Sequence, residues 1–166
     1  SQAFGEFLSL RENTRYIEAE VLKTKIDSGE KVLILDSRPP DEFSQMSIPG
    51  GINCPVAELV YRIHDLAPDP ETLLVVNCAG KTRSIIGAQS LIYAGVPNPV
   101  AALKHGTMGW ALAGLRLSKD VSPTNNEAIS AQADIWGREA TLKIAKRFGV
   151  KNISRDELIN WQRMST

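Results

Sequence analysis

The sequence predicts an α/β fold: an open, parallel, five-stranded sheet with helices on both faces, followed by a C-terminal helical extension. Two observations predict it. Short apolar runs rich in valine, isoleucine and leucine recur along the chain, and they are too short for helices but typical of buried strands. Stretches with apolar residues at helical spacing lie between these runs, and this alternation of strand and helix favours a parallel sheet covered on both sides.

Each predicted strand is a short apolar run bounded by turn residues or by a helical pattern. The strands are Tyr16–Ile17, Val32–Leu35, Ile52–Cys54, Leu73–Val76 and Val100–Leu103. Helices are predicted at Glu18–Ser28, at Pro39 and Pro40, at Val56–Leu66, from near Ser84 to Gly95, and around Trp110. Gly29 and Gly95 are expected to end their helices, since glycine accepts the left-handed backbone found at many helix C-termini.

The chain is predicted to contain one main domain with an extension at each end. We assign residues 1–15 to an N-terminal helical extension, 16–117 to the domain, 118–126 to a polar linker and 127–166 to a helical extension. Within the last segment, Glu127–Phe148 has the spacing of a helix. Residues 153–158 (ISRDEL) line up with residues 17–22 (IEAEVL), so this segment is either the start of a second copy of the domain or an ordinary C-terminal helix.

Composition excludes several classes of function. The chain has 166 residues, 43% of them hydrophobic, and a formal net charge of +0, which suits one domain with a full core. Its basic residues are scattered and no apolar run is long enough to span a membrane, so we expect neither a nucleic-acid nor a membrane partner. His64 has no partner at metal-ligand spacing, and we expect no metal and no organic cofactor.

The strongest candidate for chemistry is Cys78, which lies between a predicted strand and a predicted helix. In open parallel sheets ligands bind at this edge. The start of a helix offers unpaired backbone N–H groups and partial positive charge, Lys81 and Arg83 add full charges, and Ser84 is a cap or first-turn residue. These groups favour a thiolate over a thiol and would hold an anion, so Cys78 is predicted to be a nucleophile that acts on a small anion.

The residues of this loop allow three other interpretations. A single cysteine after a strand is often an inert core residue, although the following Gly-Lys-Thr-Arg makes a poor core. The GKT triplet suggests a nucleotide-binding P-loop, but Val75 stands where that motif requires its first glycine. A cysteine phosphatase has five residues between cysteine and arginine, whereas only four separate Cys78 from Arg83.

Three stretches in the same order resemble the rhodanese (thiosulfate sulfurtransferase) family. The residues CAGKTR (78–83) have the six-residue length of the loop in its sulfur-transferring members, whereas its phosphatase relatives have seven. The stretch LDSRPPDEFSQMSIPGGIN (35–53) is similar to the family's first signature, and LKHGTMGW (103–110) is similar to its closing signature. The resemblance spans Tyr16–Leu117 and implies the rhodanese fold. Ser47 replaces a usual histidine and His105 a usual glycine, which leaves fine specificity open.

Asp36 and Arg38 are the next candidates for residues of the functional site. They are either a solvated ion pair at a strand end or, as the resemblance implies, supporting residues at the rim of the active site. In the second case Asp36 orients Arg38 or a group on the loop. Cys54, which follows the third strand, is interpreted as structural.

The resemblance implies a sulfurtransferase that works in two steps through a persulfide on Cys78. The Cys78 thiolate would attack the outer sulfur of thiosulfate or a similar anionic donor, and a thiol or cyanide would then accept the sulfur. Backbone N–H groups of the loop would stabilise the charge, and Lys81 and Arg83 would bind the sulfonate. The substrate-binding residues are predicted to be Ala79, Gly80, Lys81, Thr82, Arg83 and Ser84.

Two rival functions stay open at this stage. One is a non-catalytic module of the same fold that senses anions or binds a partner, and the other, against the loop length, is a cysteine phosphatase or arsenate reductase. A reactive thiol needs reducing conditions, so a cytoplasmic location is expected. Many proteins of the family are tandem arrays, and the possible repeat at the C-terminus predicts adjacent rhodanese-like domains in a longer chain.

Overall fold

The computed structural model describes residues 2–123 and 128–164, and its centre is one five-stranded parallel sheet in the order β1-β5-β4-β2-β3. The strands are β1 (Tyr16–Ile17), β2 (Val32–Asp36), β3 (Ile52–Asn53), β4 (Leu73–Asn77) and β5 (Val100–Leu103). The predicted fold class is confirmed. The central strands β2 and β4 each run one residue further than predicted, because Asp36 and Asn77 pair with each other in the sheet.

Helices connect the strands and cover both faces of the sheet, as predicted. They are α1 (Gln2–Glu12), α2 (Ala19–Asp27), α3 (Pro40–Gln45), α4 (Leu59–Leu66), α5 (Thr82–Ala94), α6 (Gly106–Leu112), α7 (Ala131–Arg147) and α8 (Arg155–Met164). The predicted helix Val56–Leu66 is wrong in its first turn, which is a 3₁₀ turn at Val56–Glu58. Among these helices none is long and apolar enough to cross a membrane.

Neighbouring residues of the central strands face opposite sides of the sheet and build two cores. Leu35 and Val76 belong to the core beneath α4 and α5, whereas Ile34 and Val75 belong to the core beneath α2 and α6. Because both faces are buried, the strands are apolar throughout instead of alternating.

Helix α7 packs against α4 with small residues at the contact. A Cβ atom added at Gly137 would lie 3.2 Å from the Cα atom of Tyr61, and Ala133 and Ala140 are buried. Asp65 accepts hydrogen bonds from the backbone N and the Oγ of Ser130 at 2.8 and 2.6 Å. The helix predicted from Glu127 starts at Ala131, because the Oγ of Ser130 caps it by accepting from the backbone N of Ala133.

Helix α8 differs from α7 because none of its described residues is buried. Leu158 and Trp161 are 45% and 56% exposed. Residues 1, 124–127, 165 and 166 lie outside the described residues, and with them parts of the predicted N-terminal extension, linker and C-terminal extension. The division into domain, linker and second copy stays a prediction.

Candidate active site

Cys78 follows β4 directly, and α5 begins only four residues later at Thr82. Its side chain is buried, with 2% of the residue exposed. The Oγ of Ser84 donates a hydrogen bond to the Sγ of Cys78 at 3.1 Å. Ser84 is therefore a first-turn residue and not the cap, a position that Lys81 occupies. The first turn of α5 thus brings a hydroxyl donor to the sulfur.

The backbone N–H groups of the loop are available to a ligand. In residues 2–123 and 128–164, no hydrogen-bond acceptor takes the N–H groups of residues 79–84. The first intrahelical bond starts one residue later, from the N–H of Ile85 to the carbonyl oxygen of Lys81. Such a row of N–H groups at a helix N-terminus attracts negative charge, whether on a thiolate, a persulfide or a bound anion.

A second turn, between β5 and α6, fixes the outer side of the loop. The backbone N of Thr107 donates to the carbonyl oxygen of Cys78 at 2.7 Å, and the N of Met108 donates to that of Ala79 at 3.1 Å. Gly106 allows this contact. Its φ is +55°, and an added Cβ would lie 2.2 Å from the Cys78 oxygen. Sequence reasoning missed Gly106 and Thr107 as site residues, although both lie in the closing signature.

Asp36 and Arg38 form a buried ion pair, so the interpretation as a solvated pair is wrong. Their side chains are 1% and 4% exposed, and Nε and Nη2 of Arg38 donate to the two Asp36 oxygens at 2.9 and 2.7 Å. Asp36 also accepts from the Nδ2 of Asn77 at 3.0 Å, and the same Nδ2 lies 3.1 Å from the Oγ1 of Thr107. A continuous polar network therefore joins β2 and β4 to the turn that holds Cys78.

Asn77 was missed by sequence reasoning because it was expected to lie outside the strand. It is fully buried, and it links the Asp36 carboxylate to Thr107. A polar residue directly after the apolar run Leu73–Val76 is the signal that could have identified it. Burying an amide is costly unless its groups are paired, and here the Nδ2 is paired with both neighbours whereas the Oδ1 has no hydrogen-bond partner in residues 2–123 and 128–164.

Both basic residues of the loop are paired with carboxylates. Nη1 and Nη2 of Arg83 each donate to a Glu42 oxygen at 2.8 Å, and this pairing raises the pKa of Arg83 and lowers that of Glu42. The Nζ of Lys81 lies 3.2 Å from the Oε1 of Glu6 on α1. The side chains of both pairs are between 34% and 48% exposed, so an anion in solution can compete for these cations.

The second cysteine has a different environment. Cys54 is fully buried and its backbone N donates to the carbonyl oxygen of Asp36 at 2.8 Å. Burial raises the pKa of Cys54 to about 12. Its thiol therefore stays protonated at neutral pH, in agreement with the structural role predicted for it.

A cavity of about 330 Å³ opens next to the loop. Helix α1 contributes Glu6, Ser9 and Leu10, and the remaining walls are Tyr16, Lys81, Lys104 and His105. Cys78 is not among the residues that line it, so the cavity is a neighbour of the sulfur site and not the sulfur site itself.

Comparison with protein families identifies residues 18–113 as a rhodanese-like domain. The match includes the Cys78 loop, Asp36, Arg38 and the turn at Gly106. It begins after α1 and ends before α7, so neither helix belongs to the matched region.

Similar proteins include a sulfurtransferase from Allochromatium vinosum, which is 29% identical over 60% of this chain and 90% of its own length. The HTH-type transcriptional regulator Rv0324 from Mycobacterium tuberculosis is 35% identical over 58% of this chain, which spans 41% of the regulator. Among solved structures, the thiosulfate sulfurtransferase from Pseudomonas aeruginosa matches 97% of this chain with 46% identity and a TM-score of 0.92. This chain spans only 30% of that protein.

Proposed function

The chain belongs to the rhodanese-like domain family, and from this premise we propose that it is a sulfurtransferase that carries sulfane sulfur on Cys78. The observation that supports the proposal most directly is the environment of Sγ. A hydroxyl donor lies 3.1 Å from it, and it stands at the start of a loop whose N–H groups have no acceptor in the described part of the chain. Such donors stabilise an anionic sulfur before and after sulfur transfer.

The proposed reaction has two steps. The Cys78 thiolate attacks the outer sulfur of thiosulfate, a new S–S bond forms, and the old S–S bond breaks with its electron pair leaving on sulfite. A thiolate or cyanide then attacks the terminal sulfur of the persulfide, and the electron pair of the broken bond returns to Cys78. The N–H groups of residues 79–84 would stabilise negative charge in both steps.

We propose that Lys81 and Arg83 bind the donor, and their side chains differ in how firmly they are held. Arg83 is held by two hydrogen bonds to Glu42, whereas Lys81 has a single contact with Glu6. Lys81 can therefore turn toward a sulfonate more easily. We expect Lys81→Ala to raise the KM for thiosulfate with little change in kcat, because it removes ground-state binding. An unchanged KM would contradict this role.

Steady-state kinetics with thiosulfate and cyanide test the proposal as a whole. A persulfide intermediate predicts parallel lines in double-reciprocal plots, and Cys78→Ser should be inactive. Intersecting lines, or sulfur transfer by Cys78→Ser, would contradict it. Hydrolysis of an aryl phosphate that is lost in Cys78→Ser would instead support the phosphatase alternative, and a protein without turnover would support the binding module.

The cellular location of the domain and its neighbouring domains are also proposals. We propose that it works in the reducing cytoplasm, where a thiolate persists, and that further rhodanese-like domains adjoin it. Helix α8, which has no buried residue, and the 30% coverage of the longer Pseudomonas protein both support adjoining domains.

A further inference from the structure

We infer that the cavity between α1 and the Cys78 loop is the recognition site of the sulfur acceptor. The acceptor that fits it is a thiol on an aliphatic chain that ends in a carboxylate. This inference rests on the proposed sulfurtransferase function and assigns the substrate of its second step. Lys104 would attract the carboxylate of the acceptor and so determine specificity, whereas the carboxylate of Glu6 would repel it.

The position of the cavity is the first reason. Lys81 belongs to the loop itself, and His105 directly precedes Gly106, whose backbone packs against the carbonyl oxygen of Cys78. Two residues that line the cavity are therefore neighbours of the sulfur site, although Cys78 itself does not line it. A molecule anchored in it must extend toward Sγ, which favours a thiol separated from its anchoring group by several carbon atoms.

The chemistry of the walls is the second reason. Leu10 and the ring of Tyr16 offer apolar surface for an aliphatic chain, and the Oη of Tyr16 donates to the Oγ of Ser9 at 2.6 Å, which ties α1 to β1. At the rim stand two ammonium groups with one described carboxylate partner each, Lys81 with Glu6 and Lys104 with Glu18. An ammonium group has three donors, so Lys104 can bind a carboxylate of the ligand as well as that of Glu18, while Lys81 is the proposed contact of the sulfur donor.

The backbone of His105 is the third reason. Its φ is +58°, a region that costs free energy for residues with a side chain, and the family's closing signature usually has glycine at this position. This backbone conformation places the imidazole of His105 in the cavity wall, where it adds a hydrogen-bonding group. Glu6, Ser9, Leu10 and Tyr16 also precede the region matched to the family, so the family match does not account for this wall of the cavity.

The step is a transfer of neutral sulfur between two thiols. The acceptor loses its thiol proton to water, its thiolate electron pair forms a bond to the terminal persulfide sulfur, and the S–S bond to Cys78 breaks. The electron pair of that bond remains on Cys78 as a thiolate. The product is the persulfide of the acceptor, and no oxidant or reductant is consumed.

The test compares two acceptors that differ only at the end remote from sulfur: 6-mercaptohexanoate and 6-mercapto-1-hexanol. Protein loaded by thiosulfate is mixed with each thiol, and loss of the persulfide is followed by rapid quenching and intact-mass spectrometry. We expect the wild type to prefer the carboxylate by about threefold to fivefold, the upper part of the range of an exposed charge pair. Lys104→Gln should abolish this preference and Glu6→Gln should increase it.

The outcomes separate this inference from the proposed function. If persulfide forms and both thiols discharge it equally in the wild type, or if Lys104→Gln keeps the preference, the cavity is not the acceptor site although the sulfurtransferase function stands. If no persulfide forms, the proposed function fails and this inference with it. Hexanoate, which has no thiol, gives a second readout. It should inhibit discharge by 6-mercapto-1-hexanol in the wild type but not in Lys104→Gln, and equal inhibition in both would overturn the inference.

Discussion

The two cysteines occupy similar places in the fold but have different surroundings. Each follows the end of a parallel strand and each is almost fully buried, with 0% of Cys54 and 2% of Cys78 exposed. Cys54 lies in an apolar core, where burial raises its pKa to about 12. Cys78 accepts a hydrogen bond from the hydroxyl of Ser84 in the first turn of α5. The two cysteines therefore differ in the polar groups around the sulfur and not in burial, and we propose that this difference decides which of them reacts.

The largest contrast is expected from removing each thiol. Cys78→Ser should abolish sulfur transfer, because a serine hydroxyl stays protonated at neutral pH and cannot carry sulfane sulfur. Cys54→Ala should keep nearly full activity and lower the free energy of unfolding by about 1–2 kcal/mol through the cavity it leaves. Turnover and urea denaturation measure both. Loss of turnover in a folded Cys54→Ala variant would contradict a purely structural role.

Next in size is the effect of Gly106→Ala. The added Cβ would meet the Cys78 oxygen at 2.2 Å, so the loop must shift, and a misplaced nucleophile loses about 10²-fold in kcat. Gly29→Ala is the matched control. Gly29 has a similar left-handed φ of +74°, but nothing lies within 4 Å of its Cβ position. Both variants should lose stability, and only Gly106→Ala should lose activity; similar activities would show that this contact does not position the loop.

We expect a smaller effect of pH on the free energy of unfolding, through the thiol of Cys54. Its pKa is raised from 9.0 to about 12 in the folded protein, so between these values the unfolded chain binds fewer protons than the folded one. The neutral thiol therefore contributes fully to the free energy of unfolding below pH 9.0, and this contribution is lost as pH rises toward 12. The free energy of unfolding falls by at most about 1.4 kcal/mol per pH unit in this range.

Urea denaturation of the wild type and Cys54→Ala measures this effect. The free energy of unfolding of the wild type should fall relative to that of the variant as pH rises from 9 to 11. Parallel curves would show that the Cys54 thiol does not differ in pKa between the two states.

The smallest effect is expected from the hydroxyl at the reactive sulfur. Ser84→Ala removes the donor at 3.1 Å from Sγ and should lower kcat about tenfold, since the loop N–H groups remain. Ser90→Ala, on the same helix, removes a hydrogen bond to the carbonyl oxygen of Ile86 and should not change kcat. Equal rates in both variants would mean that the hydroxyl does not stabilise the thiolate.

The sequence predicted those features that depend on short stretches of the chain. The apolar run Leu73–Val76, the Gly-Lys-Thr-Arg that follows Cys78 and the apolar spacing after Ser84 sufficed for a strand, a loop and a helix. The same local patterns predicted five strands in a parallel sheet with helices on both faces.

What could not be predicted depends on contacts between distant parts of the chain. The partner of Lys81 is Glu6 and that of Arg83 is Glu42, and no local pattern brings these residues together. The Nδ2 of Asn77 joins Asp36 and Thr107, which come from other elements. The close approach of Gly106 to Cys78 likewise exists only after β4 and β5 have paired.

We propose that Cys78, and not Cys54, carries the sulfur, and peptide mass spectrometry after incubation with thiosulfate tests this directly. Both cysteines of the same molecule are then compared under identical conditions. We expect one added sulfur atom on the peptide that contains Cys78, none on the peptide that contains Cys54, and loss of the added sulfur on treatment with cyanide. Sulfur on Cys54, or on neither peptide while cyanide is still converted to thiocyanate, would contradict the claim.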